Sequence, residues 1–383
     1  MFERRFNVSA IRGFTVALCL GVIAGCGGGG GSTSSGAATG TGSAMVSVSG
    51  LHVSGNKLLN GNGQRVALRG VNYPDTVSAC LGEGGPAAVS TGPLDSTSVT
   101  ALQSWGVNVL RLSINETCWL GINGVPLGGS AYINPLVSYI NLLTSANIAV
   151  IIDLQWNAAG TAIANGLQPM PDADHATAFW TSVANTLGSN NSVIFDLFNE
   201  PYPDSGQDTT AAWACLLNGG TCPGVSYTTV GMQALVNAVR ATGATNVIMV
   251  PGIQATNQLD QWLSYKPTDS YTVVGSQQIM ADIHLYPPGH DTCTDESCWN
   301  GAPLSVANSV PLIAGEIGEF DCADGFIDPL MAWLDSNAGG NYLAWGWFPA
   351  DCASSPALIT DYVPGDPSGF GAGFKAHLLS LSP

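Results

Sequence analysis

The chain has little positive charge. Its 383 residues include 10 Lys and Arg against 27 Asp and Glu, for a net charge of −17. Nucleic-acid binding requires clustered basic side chains that neutralise phosphates, so neither DNA nor RNA is an expected partner. An acidic surface also repels anionic lipid and polyanionic substrates but leaves neutral ligands such as sugars unaffected. The charge balance therefore favours a neutral substrate.

Long apolar runs are also missing. The N-terminal run from Phe14 to Ala24 follows three arginines and is too short for an ordinary membrane span. It ends in the letters IAGC at Cys26, which resemble the lipidation box of a bacterial lipoprotein signal. An ordinary secretory leader, with Cys26 incidental, is the alternative.

This N-terminal pattern predicts the domain organisation and the location. We expect residues 1–26 to be a signal peptide that ends at a lipidated Cys26. Residues 27–44 are almost all Gly, Ser, Thr and Ala and are expected to form a flexible tether. Residues 45–383 would then be one catalytic domain of an exported protein, either anchored by lipid at the bacterial cell envelope or secreted.

Cys-x-x-Cys pairs and histidine clusters are absent, which argues against a zinc site. Cys19 lies in the leader, and the cysteines beyond Cys26 are Cys80, Cys118, Cys215, Cys222, Cys293, Cys298, Cys322 and Cys352. An even number in an exported chain predicts disulfides, although eight cysteines allow 105 pairings. Near neighbours suggest Cys215–Cys222 and Cys293–Cys298. The other four would then tie adjacent loops as Cys80–Cys118 and Cys322–Cys352.

Short apolar runs alternate with helix-length segments along the rest of the chain. Eight runs read as strands: 66–72, 107–113, 148–154, 192–198, 245–251, 279–285, 310–316 and 342–348. Their hydrophobicity is continuous and not alternating, which is typical of a parallel sheet covered on both faces. Eight units predict an α/β fold, a (β/α)₈ TIM barrel, with a doubly wound sheet as the alternative. Turn signals between residues 51 and 70 predict an N-terminal β-hairpin that caps the barrel bottom.

Polar residues stand where these strands end. In such a barrel the chemistry gathers at the C-terminal ends of the strands. The candidates at these positions are Glu200 and Glu316 for catalysis, and, for substrate binding, Arg111, Gln155, Trp156, Asn199, His284, Tyr286, Trp345 and Trp347. Glu200 and Glu316 end strands four and seven, so both carboxylates are expected at one barrel mouth. Paired carboxylates are what glycoside hydrolysis requires, one protonating the leaving oxygen and the other attacking carbon or activating water.

Structural roles are the alternatives for single members of this set. The alternative for Arg111 is an ion pair with a buried carboxylate that closes the barrel. The alternative for His284 is a place in the core, with its hydrogen bonds satisfied there. Trp345 and Trp347 are two residues apart and therefore lie on one face of a strand; the alternative for both is packing in the core. Glu319 lies past the end of its strand and is the alternative to Glu316 as the attacking residue.

The motifs IFDLFNEPY, RLSINETCW, IHLYP, LIAGEIGE and YLAWGWF resemble the strand-end motifs of glycoside hydrolase family 5. The resemblance runs in the correct order from about residue 50 to 380. It implies a retaining β-glycosidase of the cellulase type, with Glu200 as the general acid/base and Glu316 as the nucleophile. It further implies that Arg111 and Tyr286 hydrogen-bond Glu316 and that Asn199 contacts the sugar 2-hydroxyl.

The same resemblance assigns the remaining positions. His284 would orient the acid/base region, and Trp345 would form the stacking floor under the cleaved sugar. The family usually has a histidine at the end of strand three, where this chain has Gln155. A glutamine still donates a hydrogen bond to a sugar hydroxyl but cannot titrate. Catalysis should therefore be retained with Gln155 at this position, because the glutamates carry out the proton transfers. The fit of the sugar at the cleavage point, and so the identity of the substrate, is predicted less clearly by the resemblance.

The sequence thus predicts a retaining endo-β-1,4-glucanase that acts as a monomer on a neutral polysaccharide or oligosaccharide without a cofactor or metal. A β-mannanase or another β-glucanase is the alternative within the family. A carbohydrate-binding homologue with weakened catalysis is a second alternative, with Gln155 as its first sign. A barrel that uses a metal or a phosphorylated substrate is disfavoured, because ligand spacing and a Gly-rich phosphate loop are absent.

Overall fold

The computed structural model describes residues 46–85 and 87–381. Eight parallel strands form a closed barrel in which each strand pairs with its neighbours in chain order and β8 pairs with β1. The barrel strands are β1 Arg69–Tyr73, β2 Val109–Asn115, β3 Ala149–Trp156, β4 Val193–Asp196, β5 Ile248–Pro251, β6 Ile279–Leu285, β7 Leu312–Ile317 and β8 Tyr342–Ala344. The predicted (β/α)₈ barrel is confirmed, and the doubly wound alternative is excluded.

Helices follow each strand and cover the barrel from outside. The helix that follows each strand, in order, is Ser96–Ser104, Ser130–Ser145, Ala176–Leu187, Met232–Ala241, Trp262–Tyr265, Ala302–Ala307, Ile327–Asn337 and Gly369–Ser380. The loops carry further helices at Glu116–Leu120, Pro203–Gly206, Thr210–Asn218 and Glu296–Trp299, and 3₁₀ turns at Pro74–Thr76 and Ala79–Leu81. Short antiparallel pairs join Gly219–Gly220 to Thr229–Val230 and Thr272–Val273 to Ser276–Gln277. None of the helices described is long and apolar enough to cross a membrane.

The predicted N-terminal hairpin is present, with strands His52–Ser54 and Lys57–Leu59. Val53 and Leu58 lie in one buried cluster with barrel residues that include Met249 and Leu343. The backbone N–H of Val53 also donates to Gln278 Oε1 at 2.7 Å, just before β6. The hairpin therefore closes the bottom of the barrel, and the opposite end is left for the site.

Four disulfides are formed with the expected pairings: Cys80–Cys118, Cys215–Cys222, Cys293–Cys298 and Cys322–Cys352. All eight cysteines lie in segments that follow the strands, so the bridges fasten loops at the C-terminal end of the barrel. The predicted signal peptide, Cys26 and most of the tether lie outside the described residues.

Candidate active site

The chain turns sharply where β4 ends. The β4 ladder stops at Asp196, and the next four residues lead to Asn199 and Glu200 at the mouth. Glu200 has a φ of 49°, in the left-handed region that residues other than glycine seldom adopt. Such strained positions concentrate at functional sites, so the backbone itself marks Glu200.

Glu316, near the end of β7, receives two hydrogen bonds. Its Oε1 accepts from Arg111 Nη1 at 3.0 Å, and its Oε2 accepts from Tyr286 O–H at 2.7 Å. The side chains of Glu200 and Glu316 come together as predicted, with one oxygen of each within 4.8 Å of the other. Glu200 and Glu316 are 6% and 4% exposed, so they line a tight mouth and not an open, solvent-filled one.

Arg111 on β2 connects the residues around Glu316. Its guanidinium is fully buried and donates to Asn72, Asp196, Asn199 and Glu316 at 2.8–3.0 Å. Its Nη2 also forms an ion pair with Asp153 at 3.2 Å. The planar guanidinium presents several fixed donors, so it holds strands β1, β2, β3, β4 and β7 in one arrangement. The predicted pairing of Arg111 with a barrel-closing carboxylate and its contact with Glu316 both occur.

Asn199 has one satisfied and one unsatisfied side-chain atom. Its Oδ1 accepts from Arg111 Nη2 at 2.9 Å. Its Nδ2 is buried and has no hydrogen-bond partner among the described residues. A buried donor without a partner is costly, and such a donor at the mouth is suited to a ligand oxygen.

His284 on β6 lies between three carboxyl groups. Its Nδ1 is 3.3 Å from Glu200 Oε1 and 3.6 Å from Glu316 Oε2, and its Nε2 is 3.1 Å from Asp282 Oδ2. Burial by itself favours the neutral ring, but the surrounding carboxylates outweigh it and raise the pKa of His284 well above its usual value. The ring therefore links both glutamates to Asp282.

Burial sets the protonation of the neighbouring acids. It raises the pKa of Asp153 well above its usual value and that of Asp196 to about 7, although Arg111 opposes both shifts. Burial and the charge of Glu200 also raise the pKa of Glu316, against His284, Arg111 and the Tyr286 hydroxyl. The site buries more carboxyl groups than cations, so one or more protons remain within this cluster near neutral pH.

The rim of the mouth carries Gln155, Trp156 and Trp345. Gln155 Oε1 accepts from Ser113 O–H at 3.0 Å, which fixes the amide at the end of β3. Trp156 and Trp345 are both partly exposed.

Trp347 corrects the sequence prediction of a substrate contact. Its ring is fully buried and meets Trp105 edge-on, with centroids 4.9 Å apart. It therefore has no face open to a sugar and serves in packing, the role that the sequence had left as the alternative. The loop tryptophans Trp119, Trp213 and Trp299 are also buried and form part of the core.

Glu319, the alternative to Glu316, faces a different environment. Its Oε1 accepts from the backbone N–H of Phe326 within the loop that follows β7. Burial raises the pKa of Glu319 to about 7. No hydrogen bond of its carboxylate to Arg111 or Tyr286 is found in the described part of the chain, so it lacks the donors that surround Glu316.

The triad of Glu200, His284 and Glu316 is compact enough to suggest a metal site. The residues fit one poorly, because the buried Arg111 cation already donates to Glu316 and would repel a metal ion beside it. The triad of Cys322, Asp351 and Cys352 is not suited to a metal ion either, because its two sulfurs form a disulfide.

Sequence reasoning missed Asp196 and Asp282, which contact Arg111 and His284 from inside the barrel. Their signal was available: single aspartates interrupt the apolar strands IFDLF and MADIH. It also missed Tyr202, which lies close enough to Glu200 for that charge to contribute to its raised pKa.

Comparison with known proteins agrees with this geometry. The family model described as Cellulase (glycosyl hydrolase family 5) matches residues 59–351. A manganese-dependent endoglucanase of Phanerodontia chrysosporium is 29% identical over 171 residues, covering 41% of this chain but only 36% of that protein. A mannan endo-1,4-β-mannosidase of Salipaludibacillus agaradhaerens is 23% identical over 310 residues, covering 78% of this chain and 82% of that protein.

Solved structures share the fold. A β-glucanase of Saccharophagus degradans superimposes with a TM-score of 0.64 at 20% identity, covering 87% of this chain and 94% of that one. A β-mannanase of Streptomyces thermolilacinus gives a TM-score of 0.60 at 21% identity, with 87% and 97% covered. The family model spans most of the barrel, including both strand-end glutamates. The chain therefore belongs to glycosyl hydrolase family 5 and is a glycoside hydrolase.

Proposed function

We propose that the protein cleaves a β-1,4-linked glucan with retention of configuration, by double displacement with Glu316 as the nucleophile and Glu200 as the general acid/base. The observation that carries this proposal is the approach of the two carboxyl groups, whose oxygens come within 4.8 Å. Retaining enzymes hold their carboxyl groups about 5–5.5 Å apart, whereas inverting enzymes leave about 6.5–9.5 Å for a water.

The hydrogen bonds support this division of roles. Arg111 and Tyr286 both donate to Glu316 and stabilise its charged form, which an attacking carboxylate needs. Glu200 has His284 as a neighbour, which orients it for proton transfer to the leaving oxygen. After the glycosyl–enzyme forms, Glu200 in its carboxylate form takes a proton from the attacking water.

The remaining residues of the mouth bind the sugar. The unpartnered Nδ2 of Asn199 donates to the 2-hydroxyl of the sugar being cleaved. Trp345 stacks under that sugar, and Trp156 and Gln155 contact it from β3. Trp347 has no part in binding.

The choice of glucan rests on the relatives, which include named endoglucanases and solved β-glucanases. Purified residues 45–383 should be assayed on carboxymethylcellulose, mannan, xyloglucan and mixed-linkage glucan. We expect the highest kcat/KM on carboxymethylcellulose or mixed-linkage glucan, with a fall in viscosity that precedes the release of most reducing ends. Proton NMR of the first product should show the β anomer; an α anomer would contradict retention.

A β-mannanase is the second candidate. Relatives named mannan endo-1,4-β-mannosidase match the larger share of the chain, up to 80% of it. Mannan differs from glucan in the configuration of the sugar 2-hydroxyl, the group that Asn199 is proposed to bind. A kcat/KM on mannan above that on every glucan would establish this candidate. A weakened binding homologue would instead leave a chromogenic cellobioside intact.

We further propose that residues 1–26 direct export, that Cys26 carries lipid and that residues 27–44 tether the catalytic domain, residues 45–383. Cys26→Ser should then move the protein from the membrane fraction to the soluble fraction, with activity per molecule unchanged. The substitution preserves the size of the side chain and removes only the thiol that accepts lipid. Equal membrane partition of the wild type and the variant would contradict the anchor.

A further inference from the structure

A second cluster of ionisable side chains lies outside the catalytic pair. Glu116 stands directly after β2, and Asp172 and His175 lie in the long segment between β3 and its helix. One ligand atom from each of the three lies within 4.8 Å of the other two. Glu116 and Asp172 are fully buried, and the side chain of His175 is 19% exposed.

The distances suit a single cation. His175 Nδ1 is 3.3 Å from Asp172 Oδ1 and 3.9 Å from Glu116 Oε2, and 3.1 Å from the carbonyl oxygen of Ala158. Two ligands about 2.1 Å from one metal ion lie about 3.0–3.4 Å apart at octahedral and tetrahedral angles. The distances from His175 Nδ1 to Asp172 Oδ1 and to the Ala158 carbonyl fall in this range, whereas Glu116 Oε2 lies farther away, at 3.9 Å.

An unsatisfied atom points independently to a ligand. Glu116 Oε1 is buried and has no hydrogen-bond partner among the described residues. No Lys or Arg in the described part of the chain forms an ion pair with Glu116 or Asp172. Two buried carboxyl groups side by side, one with an unused oxygen and with His175 as the only described side chain beside them that can be positively charged, are costly without a further cation.

The surrounding hydrogen bonds hold Asp172 in place. Its Oδ1 accepts from the backbone N–H groups of Asp174 and His175, and its Oδ2 accepts from Asn157 Nδ2 at 2.9 Å. Such outer contacts orient a carboxylate for a metal ion.

We propose that Glu116, Asp172 and His175, with the Ala158 carbonyl, bind one divalent transition-metal cation of the Mn²⁺ or Zn²⁺ type. A mixed set of carboxylate, carbonyl and imidazole donors suits these ions better than Ca²⁺, which prefers oxygen ligands alone. The cation joins the segment after β2, two residues before the Cys80–Cys118 bridge, to the segment after β3 that begins beside Trp156. Its role is to fasten two loops of the sugar-binding face.

Metal binding and thermal unfolding of residues 45–383 test the proposal. After dialysis against EDTA, Mn²⁺ or Zn²⁺ should bind with one-to-one stoichiometry by calorimetry. At about one hundred times Kd it should raise Tm by roughly 3–5 °C, whereas Ca²⁺ should give a smaller shift. Glu116→Gln and His175→Ala should each weaken binding at least about tenfold.

Asp174→Asn is the matched control, because it removes one negative charge from the same loop but is not a proposed ligand. It should bind as the wild type does, which separates this site from general attraction to an acidic protein. If neither Mn²⁺ nor Zn²⁺ binds saturably to the wild type, the two carboxyl groups share a proton instead and the proposal fails. It also fails if Glu116→Gln or His175→Ala binds as tightly as the wild type.

Discussion

Glu316→Ala should reduce turnover on every glycan by at least about 10⁴-fold, because without this carboxylate no glycosyl–enzyme intermediate can form. Arg111 and Tyr286 would then donate to an empty position instead of to the attacking oxygen. Added azide should enter that space and restore part of the cleavage, giving the glycosyl azide of inverted configuration. Initial rates on carboxymethylcellulose and NMR of the azide product measure both effects.

Glu319→Ala is the matched control for this variant. Glu319 is the same residue type three positions along the chain, and its carboxylate contacts a loop N–H and not the site. It should keep kcat within about tenfold of the wild type. Because Glu316 is nearly buried, Glu316→Gln should be made as well and unfolding followed, so that lost activity is separated from lost structure. Wild-type turnover in Glu316→Ala would transfer the nucleophile role to Glu319.

The barrel was predictable because its strands are covered on both faces and therefore read as continuous apolar runs. The strand ends were less so. Sequence placed the fourth run at 192–198, but the ladder stops at Asp196, because the chain leaves the sheet to place Asn199 and Glu200 at the mouth. The last strand stops at Ala344. Trp345 and Trp347 therefore lie beyond it, and the alternation of side chains between the two faces of a strand does not predict where they point. Trp345 is partly exposed, whereas the ring of Trp347 is buried against Trp105.

The candidate site divides in the same way. Glu200, Glu316, Arg111 and Tyr286 were found because strand ends in a barrel converge whatever the loops do. The cluster of Glu116, Asp172 and His175 was not predicted, because its members lie in two different loops. No local sequence pattern shows that these two loops lie close together. Burial of the two glutamates was not predictable from the strand-end pattern: Glu200 and Glu316 are only 6% and 4% exposed.

Glu200→Ala should show a loss that depends on the leaving group. On cellulose oligosaccharides, whose leaving alkoxide needs a proton, kcat should fall by about 10²–10⁴-fold. On a dinitrophenyl cellobioside, whose leaving group needs none, the first step should proceed nearly as in the wild type, and the glycosyl–enzyme should accumulate. The truncation also removes the carboxylate that lies 3.3 Å from His284, so azide has room to reach the anomeric carbon.

Azide should therefore accelerate breakdown of that intermediate and yield the glycosyl azide of retained configuration, the opposite of the product from Glu316→Ala. Burst kinetics with the dinitrophenyl substrate, with and without azide, measure this. Glu200→Gln controls for the lost volume and should show the same dependence on leaving group with less azide rescue. An equal loss on both substrate types would mean that Glu200 acts in binding or folding and not in proton transfer. The opposite stereochemistry of the two azide products is what distinguishes the acid/base from the nucleophile, because each variant leaves the other carboxylate's step intact.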